Sequence, residues 1–235
     1  MPILATDLWL DRPLAGAFLA FNLLPAGLVH PSRIASWQLA TDAGNTAEPM
    51  PAPQADNKYR LRHASMALLK RFGTNEAVVT GFSDLALPVF MASQAAFERL
   101  TLYAGLVCLI PSIRKIIARE DLQVLRDELS ASEFEFVRRG GDRWVTQDMD
   151  SQVMVTLGQV RPQARALGYA LLFSAIAPAS PAVACRARLR LPLDLSPESS
   201  SLPQALRDGD KALGLARGLL QELDAEWMSL FPNSS

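Results

Sequence analysis

From Leu102 to Ile110 the chain is an unbroken apolar run, and it lies inside a longer helical pattern that Ser93 can cap. Beyond Leu100 this helix is apolar on nearly every side, so it has no face to turn toward water. The run falls well short of the roughly 20 residues that cross a bilayer, and so does the second apolar run, Gly168 to Ala177. Both runs predict buried helices, the first at the centre of the core. With 235 residues the chain fits one domain, or one domain with a small appendage. A chain of this length buries about 70% of the surface exposed when unfolded, so a hydrophobic share of 49% builds a core without disulfides or metals.

The rest of the chain has to pack around that centre, and most of it reads as helix. Asp11 is placed to cap a first helix with Pro13 in its first turn and Leu14, Phe18, Leu19 and Phe21 on its apolar face; Pro25 stops it. Asp7 and Asp11 stand where an export signal would carry positive charge, so this apolar stretch is poor signal material. Pro31 and Ser32 open a second helix carrying Ile34, Trp37 and Leu39. Residues 42 to 57, with Gly44, Pro49, Pro51 and Pro53, read as a linker. Residues 58 to 72 favour a helix ending at Gly73, although Tyr59, Arg60, Leu61 and Arg62 also alternate like a strand.

Pro111 predicts a break, after which Ile113, Ile116 and Ile117 resume a helical stripe with Arg114, Lys115 and Arg119 on its other faces. Ala118, Leu122, Leu125 and Leu129 continue helical spacing, and Gly140 and Gly141 mark a turn over Arg138 to Asp142. Pro162 opens another helix, halted at Pro178. From Ala184 to Leu191 the period changes: Arg186, Arg188 and Arg190 fall on one side of an extended chain and Ala187, Leu189 and Leu191 on the other, which predicts a strand. A Ser/Pro-rich stretch, 196 to 203, precedes a closing helix from Ala212 to Leu230. The expected fold is therefore mainly α, an irregular helical domain with a minor β element around residues 184–191. It divides into an N-terminal helical element (1–41), a Pro-rich loop or linker (42–57) and a main helical body (58–235).

Chemistry is sparse. The 23 basic and 24 acidic residues give no summed field that would draw nucleic acid or an anionic membrane. Cys108 and Cys185 belong to no CxxC or dense framework and suit a reduced, cytoplasmic setting; Cys108, in an apolar helix, reads as a core residue. The two histidines, His30 and His63, form no metal-ligand spacing. Ser83 lacks the second glycine of a nucleophile elbow, since Leu85 stands in its place. Asp148 and Asp150 make a lone Asp-x-Asp, better read as a solvated turn than as a cation site. Glycines 209, 214 and 218 lack the ending of a phosphate loop and read as packing or kink positions. No catalytic, cofactor or metal residue is assigned, and the expectation is a non-enzymatic binding protein. Its candidate contact residues are the arginines at 186, 188 and 190, with a second set in Arg114, Lys115 and Arg119; solubilising an edge strand is the competing role for the first set.

Two longer stretches carry a resemblance. Leu100 to Ile110, with its internal Gly105-Leu106, leads into Ile113-Arg114-Lys115-Ile116-Ile117 and then Leu122 to Leu125; later, Leu167 to Pro178 precedes Cys185-Arg-Ala-Arg-Leu-Arg-Leu-Pro-Leu193. Over residues 84 to 231 this order resembles the SctK/YscK family of type III secretion proteins, in which a hydrophobic helix enters a basic-aliphatic stretch and a later apolar helix precedes an Arg-Leu-Pro-Leu strand and a closing helix. The Pro-rich stretch at 42–57 departs from that pattern. The resemblance implies a cytoplasmic adaptor of the sorting platform, at the cytoplasmic face of the inner membrane when assembled. It would link the cytoplasmic domain of the ring protein SctD to the SctQ pod, and indirectly to the stator SctL and the ATPase SctN, in support of effector secretion. It implies no catalytic residue, no cofactor, no nucleic-acid partner and no membrane insertion. The alternatives are a secretion chaperone or regulatory binding protein, or a small helical enzyme whose site gathers Asp148, Asp150, Ser83 and His63.

Overall fold

A computed structural model describes residues 12–42, 58–71, 78–145, 153–195 and 202–231. These residues are 72% helical, with no strand among them, so the mainly α expectation holds. The helices are α1 (Arg12–Leu23), α2 (Pro31–Asp42), α3 (Lys58–Arg71), α4 (Leu87–Met91), α5 (Gln94–Ile113), α6 (Arg119–Glu128), α7 (Ala131–Glu135), α8 (Gly141–Trp144), α9 (Val160–Ser174), α10 (Pro181–Leu189), α11 (Gly209–Leu223) and α12 (Ala225–Ser229). Short 3-10 turns add Pro25–Leu28 and Gln204–Leu206. The chain forms two compact units, each gathered from separated stretches: Met1–Gln94, Ala179–Asp194 and Glu226–Ser235 in the first, Ala95–Pro178 and Leu195–Ala225 in the second.

The first unit has many element ends whose backbone groups need partners, because a buried carbonyl or N–H left unpaired costs about as much as a lost hydrogen bond. Side chains supply many of them. Asn22 on α1 pairs with Val79 through both its amide atoms: its oxygen accepts from the Val79 N–H at 3.0 Å and its Nδ2 donates to the Val79 carbonyl at 3.3 Å. Ser65 on α3 accepts from the Ala26 N–H at 3.2 Å, and the Asp84 carboxylate accepts from Ala86 and Ser180 N–H at 2.9 and 2.8 Å. Trp227 donates to the Pro88 carbonyl at 2.8 Å. Ala26, Val29, Ala64, Leu68 and Leu189 form an apolar cluster with Ile34 and Leu61 at its margin. Helix α3 settles its helix-or-strand ambiguity by burying Ala64, Ser65, Leu68 and Leu69 on one helical face.

The second unit is organised on α5 and α9. A Cβ on Gly105 of α5 would overlap the Ala164 carbonyl of α9, and a Cβ on Gly168 of α9 would overlap the Thr101 carbonyl of α5. Residues 101 and 105 thus meet 168 and 164, each pair one helical turn apart, so the helices run antiparallel with their backbones touching. Ridges of large side chains would hold the axes 8–10 Å apart; glycine removes them at the crossing. Around it, Leu100, Leu106, Leu109, Leu171 and Leu172 are fully enclosed, as the apolar pattern requires. Ser130 and Glu133 form a capping box that starts α7, and buried Glu133 also pairs with Arg161 at 3.0 Å. Helix α5 is long and apolar enough to cross a membrane by composition, and most of it lies buried inside the protein.

Several expectations are corrected. The strand around residues 184–191 is helix α10: Pro181 sits in its first turn, and Val183, Arg186, Ala187 and Arg190 share its inner face at 3.6-residue spacing. Pro111 does not break α5, which ends at Ile113; so close to a C-terminus the missing N–H removes one bond of the last turn, and Arg114 N–H still bonds Ile110 O at 3.0 Å. Ile116 and Ile117 then lie in a turn and link, outside any helix. The turn over 138–142 is instead helical, a π-type turn at Phe136–Gly140 running into α8, with Glu135 pairing Arg138 at 3.0 Å and also Arg139. The closing helix is two, because Asp224 leaves helical geometry (φ −153°, ψ 69°) and the Leu223 carbonyl is taken by Arg99 at 2.6 Å. Helices α2 and α3, on either side of the Pro-rich stretch, belong to the same unit. Asp11, residues 43–57 of the linker, Asp148, Asp150 and residues 196–201 lie outside the described residues.

Candidate interaction surfaces

The three arginines of α10 do not share a face. Arg190 is 2% exposed and clamps the end of α4: Nη1 donates to the Phe90 and Ala92 carbonyls at 2.9 and 2.7 Å, and Nη2 to Gln94 Oε1 at 3.3 Å. Carbonyls at a helix C-terminus lack intrahelical donors and carry the negative end of the dipole, so a guanidinium there satisfies both. Arg186 is equally buried and donates to Ala182 O at 3.0 Å; burial, opposed by neighbouring Cys185, pulls its pKa below the usual arginine value. Arg188 is the exposed member of the three. Arg33 acts as a second clamp, donating to the Leu191 and Pro192 carbonyls at 2.7 and 3.3 Å; burial lowers its pKa, partly offset by Asp194.

The second set is brought together. Arg114 and Lys115 are exposed on the turn that ends α5, and Arg119 is exposed at the start of α6. Ile117 lies between them, 87% exposed. Glu120 is exposed directly after Arg119, so the local field is mixed. The Ser112 hydroxyl bonds the Val153 carbonyl, and Gln163 Nε2 donates to Met154 O at 2.6 Å while the Met154 side chain stands 83% exposed. The second unit therefore presents two large apolar side chains beside its cations.

The residues weighed for catalysis that lie among the described residues are dispersed over separate elements. Cys108 is fully buried, bonded to the Ala104 carbonyl, and burial pushes its thiol up to about 12, far from a nucleophile. Cys185 is half-buried on α10. His30 pairs with Ser32 through Nδ1 at 3.0 Å, while His63 and Ser83 are exposed. Among the described residues no group of three or more His, Cys, Asp or Glu side chains is placed to hold a metal ion. Gly209 packs against Ala177 and Pro178 and Gly218 lies under the Trp144 ring, whereas Gly214 faces open space.

Sequence reasoning overlooked α3. Its outer face carries Tyr59, Arg62, His63, Met66 and Lys70, all exposed and all within about a third of the helix circumference. The available signal was charge segregation: no Asp or Glu occurs from Arg12 to Thr41, nor from Lys58 to Arg71. No protein-family model, curated protein or solved structure matches the chain.

Proposed function

We propose that this chain is a cytoplasmic adaptor of a type III secretion sorting platform, linking the cytoplasmic domain of SctD to SctQ. The resemblance over residues 84 to 231 motivates the reading; its expected strand is helix α10, so support comes from the central helix, its Gly105-Leu106 step and the mainly helical build. One observation carries it furthest. Each unit exposes large apolar side chains beside cations, Tyr59 and Met66 with Arg62 and Lys70 in the first, Ile117 and Met154 near Arg114 and Lys115 in the second. Protein interfaces are enriched in aromatic residues, methionine and arginine, and a linker between two proteins needs two such surfaces. Each must offset the rigid-body entropy lost on docking.

The test is reconstitution. Purified full chain, mixed with SctQ and with the cytoplasmic domain of SctD separately and then together, should co-elute with each and form a ternary complex. Elution apart from both proteins refutes the adaptor reading.

A further inference from the structure

The outer face of α3 carries exposed cations and exposed apolar side chains with no acidic residue among them. Tyr59 is 88% exposed and Met66 59%, seven residues apart, which places them about 10 Å apart along the axis. Arg62 and His63 stand between them and Lys70 follows one turn later, all exposed. The opposite face is committed to the interior through Ala64, Ser65 and Leu68. Aromatic, methionine and arginine side chains exposed on one face have the composition of a protein interface, which a partner covers.

Charge says what that cover is. Helix α3 has no acidic residue, and α1, the Pro25–Leu28 turn and α10, whose Leu189 joins its apolar cluster, have none either; α2, which reaches the cluster through Ile34, has one, Asp42 at its C-terminal end. The exposed face of α3 itself therefore carries cations and no carboxylate, in a chain whose formal net charge is −1. The turn after α5 differs, because Glu120 and Asp121 follow its cations at once.

We propose that the outer face of α3 docks an acidic amphipathic helix of a partner protein, with aliphatic residues lying over Tyr59 and Met66 and carboxylates facing Arg62 and Lys70. This deepens the adaptor reading and rests on it, assigning one of the two partner contacts to the first unit. Complementary charge at such a rim sets association rate and register, and packing at the apolar pair sets residence time.

The experiment is surface plasmon resonance of the purified full chain against immobilised SctQ and immobilised SctD cytoplasmic domain, with phosphatidylglycerol vesicles in parallel. The charge reversal Arg62→Glu/Lys70→Glu should weaken one of the two protein interactions at least tenfold and flatten its salt dependence. Tyr59→Ser/Met66→Ser should raise the dissociation rate of the same complex, and Arg165→Glu, an exposed reversal on α9, should change nothing. Carbodiimide coupling should join Lys70 to an Asp or Glu of that partner. Wild-type binding to a partner that both double variants leave unchanged overturns the α3 assignment and spares the adaptor reading. Failure of the wild type to bind either protein removes both. A loss confined to vesicle binding, or to self-association in gel filtration, overturns the protein-partner assignment in favour of lipid or a second copy.

Discussion

The two units solve the same problem, enclosing helices in a protein interior, with different chemistry. The first joins three separated stretches of chain, and its long-range ties are side chains reaching backbone: Asn22 to Val79, Ser65 to Ala26, Arg33 to Leu191, Arg190 to Phe90 and Ala92, Trp227 to Pro88. The second brings long helices together by removing side chains, so that the backbones of α5 and α9 touch at Gly105 and Gly168. Short elements such as the five-residue α4 expose a high proportion of unpaired backbone groups and need polar clamps. Long helices satisfy their own backbone and need only matching shape. Both units use side-chain ties to backbone, the second through Arg99 to Leu223 and Ser112 to Val153, and the second adds a helix crossing made by two glycines.

The largest effect should follow from breaking the shape match. Gly105→Val puts side-chain atoms into the Ala164 carbonyl, where backbone cannot yield cheaply, and should destabilise by about 3 kcal/mol or more. Hydrogen exchange followed by mass spectrometry should show α5 and α9 losing protection while α3 and α10 retain theirs. Equal loss in all four would erase the distinction between units.

Next comes the polar clamp. Arg190→Met preserves bulk but leaves the Phe90 and Ala92 carbonyls without their charged donor, a cost of about 2–4 kcal/mol in urea unfolding. Arg188→Met, two residues away and exposed, should stay within about 0.5 kcal/mol. Similar costs for both would mean that the clamp contributes nothing special.

The smallest effect sharpens the view of the second unit as a dry, close-packed interior. Burial holds the Cys108 thiol at about 12 against 9.0 for the free group. Above pH 9 the unfolded chain has lost this proton while the native protein keeps it, so the native state binds more protons and stability falls as pH rises from 9 toward 12. Between pH 8 and pH 10 the thiol should account for about 1.4 kcal/mol of lost stability. Cys108→Ala should lose correspondingly less over the same interval, and parallel losses in the two proteins would show that water reaches the thiol.

Much of the helical layout was legible because apolar spacing is a local property. Leu14 and Phe21, Leu100 and Leu106 to Ile110, Leu167, Leu171 and Leu172, and Ala212, Ala216, Leu219 and Leu220 are buried as their periodicity implies, whereas Leu19, expected on the same face as Leu14, is 51% exposed. Residues 184–191 were misread because an alternating Arg-x-Arg-x-Arg pattern satisfies period 2 in sequence, while the same arginines at 186 and 190 fall on one helical face. Assigning arginine to the surface compounded the error, since guanidinium groups are buried only where carbonyls await them, and nothing local reveals that α4 ends beside α10. Of the candidate contacts, the Arg114, Lys115 and Arg119 cluster was visible from sequence spacing. The α3 face was overlooked although its lack of acids was in plain view, because Tyr59 and Met66 read equally well as core residues until their burial was known.

What the sequence determined alone was where most of the helices form and that α5 and α9 must be enclosed, because backbone hydrogen bonding and apolar periodicity act over a few residues. Only the tertiary structure decided which arginines became internal clamps, that two glycines 63 positions apart (168 − 105) cooperate at one helix crossing, and which apolar side chains stayed in water. Those outcomes depend on what lies opposite each residue in space, and close approach of distant segments leaves no signature in local spacing.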